Sequence, residues 1–183
     1  MVKFLSCFLL LWLALLFSPA HAAPQSRVAV FGEYSNVINT EEHSYGYTLQ
    51  LWKENGRLLG FLLVAGGLSG DTPTGQIENV RYDARNGSIH FTARLSTGLQ
   101  YDARRKTQAF SHDLFTFDGV LANDSLSGTM LHQDALSRKS PPTSEHVTLR
   151  FSSQGTNLME AYPSRATWTT MAKRILKFRG PQW

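Results

Sequence analysis

Apolar and polar residues alternate along three pairs of segments that are separated by short turn signals. The turn signals are Asn55-Gly56, Asn86-Gly87 and Asn123-Asp124, and each lies between two apolar runs. Asn-Gly supplies the positive φ angles that a two-residue type I′ hairpin turn requires. The pattern therefore predicts three antiparallel β-hairpins.

A two-residue turn at Asn86-Gly87 would fix the register of the second hairpin. Tyr82 would then lie opposite Phe91, and Asp83 would lie opposite His90. One face of this ladder is apolar and the other polar, which is typical of a half-buried antiparallel pair. The predicted apolar face consists of Tyr82, Phe91, Val80, Ala93 and Leu95.

The turn at Asn123-Asp124 predicts a third hairpin whose register places two glycines opposite each other. Glycine inside a strand indicates a sharp bend or the close approach of another group. The glycine pair is therefore interpreted either as a corner of a barrel or as space for a ligand. The predicted pairs are Leu121 with Leu126, Gly119 with Gly128, Phe117 with Met130, and Phe115 with His132.

The hairpin around Asn55-Gly56 is apolar on both faces, so we expect it to be covered on both sides. The C-terminal segment is a candidate for one of the two covers. One face carries Trp52, Leu59, Phe61 and Leu63, and the other carries Tyr45, Tyr47, Leu49, Leu51, Leu62 and Val64.

Alternating patterns predict further strands at Arg27–Tyr34 and Glu145–Phe151, with a weaker one at Leu99–Tyr101. The total is eight or nine short strands, and no helical pattern separates them. This arrangement predicts an all-β domain over residues 23–161, an antiparallel meander of about eight strands. A barrel is favoured over a sandwich because consecutive hairpins close most simply in that way.

Eight or so strands followed by a helix resemble the lipocalin-type barrel. Gly32-Glu33-Tyr34 lies where that family has a Gly-x-Trp motif, with tyrosine in place of tryptophan. The resemblance is one of architecture and covers the body of the chain.

Residues 162–183 have the pattern of a basic amphipathic helix. Pro163 and Ser164 can start it, and Gly180-Pro181 can end it. Such a helix either packs on the barrel or binds an anionic lipid surface or an envelope partner, and both can hold together. The apolar arc holds Trp168, Met171, Ala172, Ile175, Leu176 and Phe178, and the opposite side holds Lys173, Arg174 and Lys177.

Residues 1–22 read as a secretory signal peptide. A single Lys3 precedes an apolar run, Pro19 breaks that run, and Ala20-His21-Ala22 offers a cleavage site. We therefore expect a secreted or periplasmic protein. Cys7 is the chain's one cysteine and would leave with the signal, so the mature chain would have no thiolate chemistry.

Charge is divided unevenly along the 183-residue chain. Residues 23–161 carry 12 Lys and Arg against 14 Asp and Glu, whereas residues 162–183 carry five basic side chains and no acid. A protein that binds nucleic acid would spread basic groups over a recognition surface, so we expect no such partner.

The sequence carries no motif of a known catalytic class. It lacks G-x-S-x-G and H-E-x-x-H, and the glycine-rich stretch 66–75 lacks the lysine of a phosphate-binding loop. Ser111-His112-Asp113 is contiguous, whereas a catalytic triad needs neighbours in space. We expect no enzyme activity, no cofactor and no metal.

Two polar residues, Glu78 and His132, interrupt otherwise apolar faces. Each lies eight residues from a turn residue, which would place both near one end of the barrel, beside Tyr45 and the 66–75 loop. Such a mouth above an apolar body predicts a pocket for a small apolar or amphiphilic ligand. The body would be lined by Tyr47, Tyr82, Phe91, Phe115, Phe117 and Met130.

Two other interpretations of Glu78 and His132 remain open at this point. Both residues could simply lie at strand ends and reach water. They could also form the acid/base pair of an enzyme, which would require them within hydrogen-bond distance.

Overall fold

A computed structural model describes residues 26–68, 72–102, 105–135 and 141–181. The predicted signal peptide and Cys7 lie outside these ranges. The strands are β1 Ala29–Ser35, β2 Ile38–Asn39, β3 His43–Glu54, β4 Arg57–Leu68, β5 Thr74–Tyr82, β6 Ser88–Leu95, β7 Leu99–Asp102, β8 Thr107–Phe110, β9 Asp113–Ala122, β10 Ser125–Asp134 and β11 Thr143–Phe151. The helices are α1 Ser153–Asn157 and α2 Arg165–Arg179.

Eight antiparallel strands close into a barrel, which confirms the expected fold class and decides against a sandwich. The barrel strands follow the chain in the order β1, β3, β4, β5, β6, β9, β10 and β11. The barrel closes because β1 pairs with β3 along its length and with β11 at Tyr34 and Ser35. The extra strand β2 pairs with β3 outside the ring.

The two ends of the barrel differ in their connections. The closed end carries the turns 55–56, 84–87 and 123–124. The opposite end, here called the open end, is where His43 pairs with Leu68 and where Asp113 pairs with both Leu95 and Asp134. The longer connections of the chain start and finish at the open end.

Two of the three predicted hairpins have the expected register. Asn55 and Gly56 have φ angles of 48° and 80°, and Glu54 pairs with Arg57 across this two-residue turn. In β9–β10 all four predicted pairs are present, from Leu121 with Leu126 to Phe115 with His132.

The predicted register of β5–β6 is wrong, because the turn is longer than two residues. Asp83 N donates to Ser88 O at 3.0 Å, so residues 84–87 form a four-residue loop. The Asp83 carboxylate accepts from Arg85 N at 2.9 Å and thereby starts the turn early. Tyr82 consequently pairs with Ile89 and not with Phe91.

A β-bulge in β5 then reverses the faces beyond it. Asn79 adopts a φ of 52°, and the register shifts between Glu78 and Arg81. A bulge adds one residue to one strand, so side chains on its far side exchange inside for outside. Ile77 therefore points into the core, and Glu78 points outward opposite Thr92.

The predicted strand at 99–101 exists, but it does not enter the barrel. β7 pairs with β8 as a separate two-stranded hairpin, within the segment that connects β6 to β9. Because the hairpin is an excursion between β6 and β9, these two barrel strands still lie side by side.

The interior of the barrel is filled by side chains. Phe91, Phe117 and Met130 are at most 1% exposed, and the first two stack at 5.3 Å between ring centroids. An eight-stranded barrel is just wide enough for side chains to fill it. The predicted apolar body below the mouth is therefore a packed core rather than a deep pocket.

The facing glycines make room for an aromatic ring. A Cβ atom at Gly119 would lie 2.5 Å from Phe117 Cζ, and one at Gly128 would lie 2.8 Å from the same atom. The glycine pair was interpreted as a corner of the barrel or as space for a ligand, and in the structure this space is filled by the side chain of Phe117.

The C-terminal helix packs on the outer face of the first hairpin, as one interpretation expected. Ser164 caps α2 by accepting from Thr167 N at 3.2 Å, and Trp168 is 1% exposed. Phe178 departs from the predicted apolar arc, since it is 75% exposed. The buried residues of this outer cluster are Val28, Trp52, Leu59, Phe61, Trp168 and Ala172.

Candidate functional site at the open end of the barrel

A cavity of about 430 Å³ lies at the open end. Pockets for small molecules have volumes of about 300–1,000 Å³. The cavity has aromatic, aliphatic and glycine walls with a few polar groups. Its lining residues are Tyr47, Val64, Ala65, Gly66, Gly67, Pro73, Thr97, Phe115 and His132.

The two-residue turn between β9 and β10 determines where His132 lies. In that register His132 is the Cα partner of Phe115. The two rings stack with centroids 4.5 Å apart and planes within 10° of parallel. Tyr47 meets Phe115 from another side, edge-on, at 6.1 Å between centroids. The imidazole thus belongs to an aromatic wall of the cavity.

A buried carboxylate orients the His132 ring. Asp113 is 3% exposed, and its Oδ1 accepts from His132 Nε2 at 2.7 Å. Its Oδ2 accepts from Ser111 Oγ, from Thr97 N at 2.9 Å and from Thr97 Oγ1 at 2.7 Å. Buried carboxylates are stable only when their oxygens are paired in this way.

These contacts shift the titration of both partners. Burial works to raise the pKa of the Asp113 carboxyl, but hydrogen bonds from His132, Ser111 and Thr97 together lower it well below its ordinary value. The hydrogen bond to Asp113 raises the pKa of His132, although burial opposes this. The pair therefore favours a carboxylate next to an imidazolium.

A second acidic residue, Glu145, forms a hydrogen bond with a tyrosine of the cavity wall. Tyr47 OH donates a hydrogen bond to the Glu145 carboxylate. Burial, and after it this hydrogen bond, raises the pKa of the Tyr47 phenol above its ordinary value. Tyr47 is therefore a neutral donor at physiological pH, and its hydroxyl is occupied by Glu145.

Among the nine residues predicted to contact a ligand, Tyr47, Phe115 and His132 line the cavity. Phe91, Phe117 and Met130 lie below it in the packed core. Tyr45 projects at the rim, where it is 52% exposed and stacks on His43 at 5.9 Å.

Glu78 and Tyr82 lie away from the cavity, and their predicted placement is wrong. The bulge turns Glu78 outward, where its carboxylate lies 3.7 Å from Arg94. Tyr82 lies next to the 84–87 loop at the closed end and contacts Phe31 edge-on at 6.0 Å. A pair of Glu78 and His132 acting as acid and base is therefore excluded by position.

The predicted basic face of the C-terminal helix is exposed. Lys173, Arg174 and Lys177 all lie on the solvent side of α2. Arg174 differs from the two lysines because it lines a groove between α2 and the barrel wall. Most apolar residues of α2 pack against the barrel, so the basic side chains are the main groups of the helix that remain exposed for binding.

From the sequence, Ser111 and Asp113 were considered only as members of a catalytic triad and were not placed at the site, and Thr97 was not considered. A signal for Asp113 was present in the register, because a strand residue also reaches the diagonal neighbour of its partner. With His132 opposite Phe115, Asp113 is that diagonal neighbour on the same inward face. Thr97 carries no comparable signal, since it is brought in by the connection that leads to β7.

The arrangement can hold a polar group against the imidazole. His132 Nε2 is fixed by Asp113, Nδ1 makes no hydrogen bond to a described residue, and 36% of the side chain is exposed. Ser111 Oγ donates to Asp113 and not to His132. Ser111 and His132 therefore lack the contact between serine and histidine that activates a nucleophile.

Within the described ranges, no helix has the length and apolar character needed to cross a membrane. No protein-family model matches the chain, and neither a curated protein nor a solved structure matches it significantly.

Proposed function

We propose that the protein is an exported, non-enzymatic β-barrel that binds a small amphiphilic ligand at the open end. The apolar part of the ligand lies against Tyr47, Val64 and Phe115, and its polar group meets the His132 imidazole. Export is supported by the pattern of residues 1–22, which is typical of a signal peptide.

The observation that carries this proposal is the His132 ring, held by a buried carboxylate in the wall of a cavity. A few oriented polar groups among apolar walls are the usual composition of a small-ligand site. Because Asp113 raises the pKa of His132, an imidazolium is available to an anionic or hydrogen-bond-accepting ligand. The filled core restricts the ligand to the size of the mouth.

The test uses two aromatic probes, 2-naphthoate and 2-naphthol, in titration calorimetry at pH 6. We expect the wild-type protein to bind both. Gly66→Leu should abolish binding because the new side chain would fill the cavity. A Cβ at Gly66 meets nothing within 4 Å, and Gly66 lies on the same inward face of β4 as Leu62 and Val64.

Gly98→Leu is the matched control, because its Cβ also meets nothing within 4 Å but Gly98 is not among the residues that line the cavity. Binding should survive in that variant and in Glu78→Ala. Failure of both probes to bind the wild-type protein, or equal binding by the two leucine variants, would contradict the proposal.

A second candidate function is docking on an anionic envelope surface through α2. It is favoured by the exposure of Lys173 and Lys177 on a helix whose apolar side is occupied by the barrel. Basic side chains near an anionic leaflet contribute about 1 kcal/mol each. A Lys173→Glu, Lys177→Glu variant should lose co-sedimentation with phosphatidylglycerol vesicles, and unchanged co-sedimentation would exclude this function.

A further inference from the structure

An apolar groove of about 450 Å³ runs between α2 and the outer wall of the barrel. Phe61 and Leu63 of β4 form one side of the groove. Met171, Ile175 and Phe178 of the helix form the other side. This groove is separate from the open-end cavity, since the two share no lining residue.

The groove leaves a large apolar side chain in solvent. Phe178 is 75% exposed although it lies at the edge of an otherwise apolar surface. Packing of α2 on the barrel accounts for Trp168 and Ala172, which are buried, but not for Phe178. A hydrocarbon chain in the groove would cover this ring and remove apolar area from water.

Two guanidinium groups complete the groove. Arg174 and Arg179 both line it, and neither forms an ion pair with a carboxylate of the described residues. Arg165, by contrast, lies 3.7 Å from Glu54. Gln50 also lines the groove, but its amide Nε2 already donates to Glu33 at 2.8 Å. The uncompensated charge at the groove is therefore positive.

We propose that this groove binds a free single-chain amphiphile with a carboxylate head group. The hydrocarbon chain lies along Leu63, Met171 and Ile175 beneath Phe178, and the carboxylate is held by Arg174 and Arg179. Guanidinium groups pair with carboxylates through parallel hydrogen bonds, which gives the head group its orientation. The proposal does not depend on a ligand at the open end.

The test titrates the wild-type protein with octanoate, decanoate and decanol below their aggregation concentrations. Decanoate should bind, and each methylene added between the two acids should strengthen binding about four-fold, which corresponds to about 0.8 kcal/mol. Decanol, which has no charge, should bind at least ten-fold more weakly. Equal binding of decanol and decanoate would overturn the role of the two arginines.

Matched variants locate the site. Arg174→Gln with Arg179→Gln should weaken decanoate binding at least ten-fold, whereas Lys173→Gln with Lys177→Gln removes the same charge from the same helix and should change it less than two-fold. In methyl-labelled protein the Met171 signal should shift on binding, and the Met130 signal in the barrel core should not. Equal losses in the two double variants would show that only net charge matters, and would refute the groove.

Two further arms separate this site from the other proposals. Gly66→Leu, which fills the open-end cavity, should leave decanoate binding intact. If decanoate binding is lost in Gly66→Leu and kept in the double arginine variant, the ligand occupies the open end and the groove proposal fails alone. Binding to phosphatidylglycerol vesicles without any binding of monomeric decanoate would likewise overturn it in favour of a membrane contact.

Discussion

Among the residues that the structure describes, two histidine–aspartate pairs of the barrel have the same hydrogen-bond length and different surroundings. His132 Nε2 lies 2.7 Å from Asp113 at the open end, and His90 Nδ1 lies 2.7 Å from Asp118 on the outer wall. The Asp113 side chain is 4% exposed, whereas that of Asp118 is 65% exposed. The open-end pair is joined to further donors, Ser111 and Thr97, whereas no further side-chain donor to Asp118 is found among the described residues.

The difference shows that two pairs with equal hydrogen-bond lengths can differ in burial and in the number of further donors. An exposed ion pair is screened by water and contributes little, whereas a buried carboxylate depends on each of its donors. The buried pair also connects two parts of the chain, because Thr97 and Ser111 lie where the β7–β8 excursion leaves and rejoins the barrel. The open end is therefore both the candidate binding site and a structural junction.

Replacing each aspartate with asparagine should give the largest contrast. Asp113→Asn leaves His132 and three other donors without their charged acceptor, and should lower the free energy of unfolding by about 3–5 kcal/mol. Asp118→Asn breaks a solvent-exposed pair and should cost about 0–1 kcal/mol. Urea unfolding of both variants measures this, and equal losses would remove the distinction between the pairs.

Removing a single donor should give an intermediate effect. Ser111→Ala takes one hydrogen bond from the Asp113 carboxylate and also removes an acceptor of Thr97 N and Gly98 N. Hydrogen bonds to charged groups contribute about 1.5–3 kcal/mol. Ser127→Ala is the control, because Ser127 Oγ lies 3.0 Å from Thr148 Oγ1 in an exposed pair, and should cost about 0.5 kcal/mol or less. Thermal unfolding of the two variants compares them, and a smaller loss in Ser111→Ala than in Ser127→Ala would count against the network.

The pH dependence of stability should give the smallest and most specific effect. Because the pKa of His132 is raised in the folded protein, its contribution is complete below about pH 6.5, the ordinary value for histidine, and is lost as pH rises through the raised pKa. Because the pKa of Asp113 is lowered, its contribution is present above about pH 3.9 and is lost as pH falls further.

Stability should therefore be highest between these limits and decline on the alkaline side. In His132→Gln the alkaline decline should diminish, whereas in His90→Gln it should persist because the open-end pair is intact. Unfolding curves from pH 5 to 9 make the comparison. An unchanged alkaline decline in His132→Gln would assign the effect to another group.

The strand register could be predicted from the sequence at two of the three turns. Where a turn has two residues, as at Asn55-Gly56 and Asn123-Asp124, alternation alone gave the correct pairs, including His132 with Phe115. At Asn86-Gly87 a side chain decided the turn, because the Asp83 carboxylate bonds to Arg85 N two residues on. The hydrophobic pattern does not show whether a side chain will form such a hydrogen bond with the backbone of the turn.

The candidate site was predictable only in part, for two physical reasons. The bulge at Asn79 reverses every face beyond it, so Glu78 was assigned to the inside although it lies outside. The contacts of Asp113 with Thr97 depend on the path that the chain takes after β6. No periodic pattern in the sequence predicts that path. Strand number does not decide whether the core is filled either, since an eight-stranded barrel is either packed by its own side chains or holds one small ligand.

The most direct test of the account is an imidazole nitrogen NMR spectrum recorded while 2-naphthoate is added at pH 6. We expect the ring signals of His132 to shift and those of His90 to stay in place, because the ligand meets only the open-end ring. If the naphthoate binds while the His132 signals remain unchanged, or if both histidines shift alike, the open end is not the binding site.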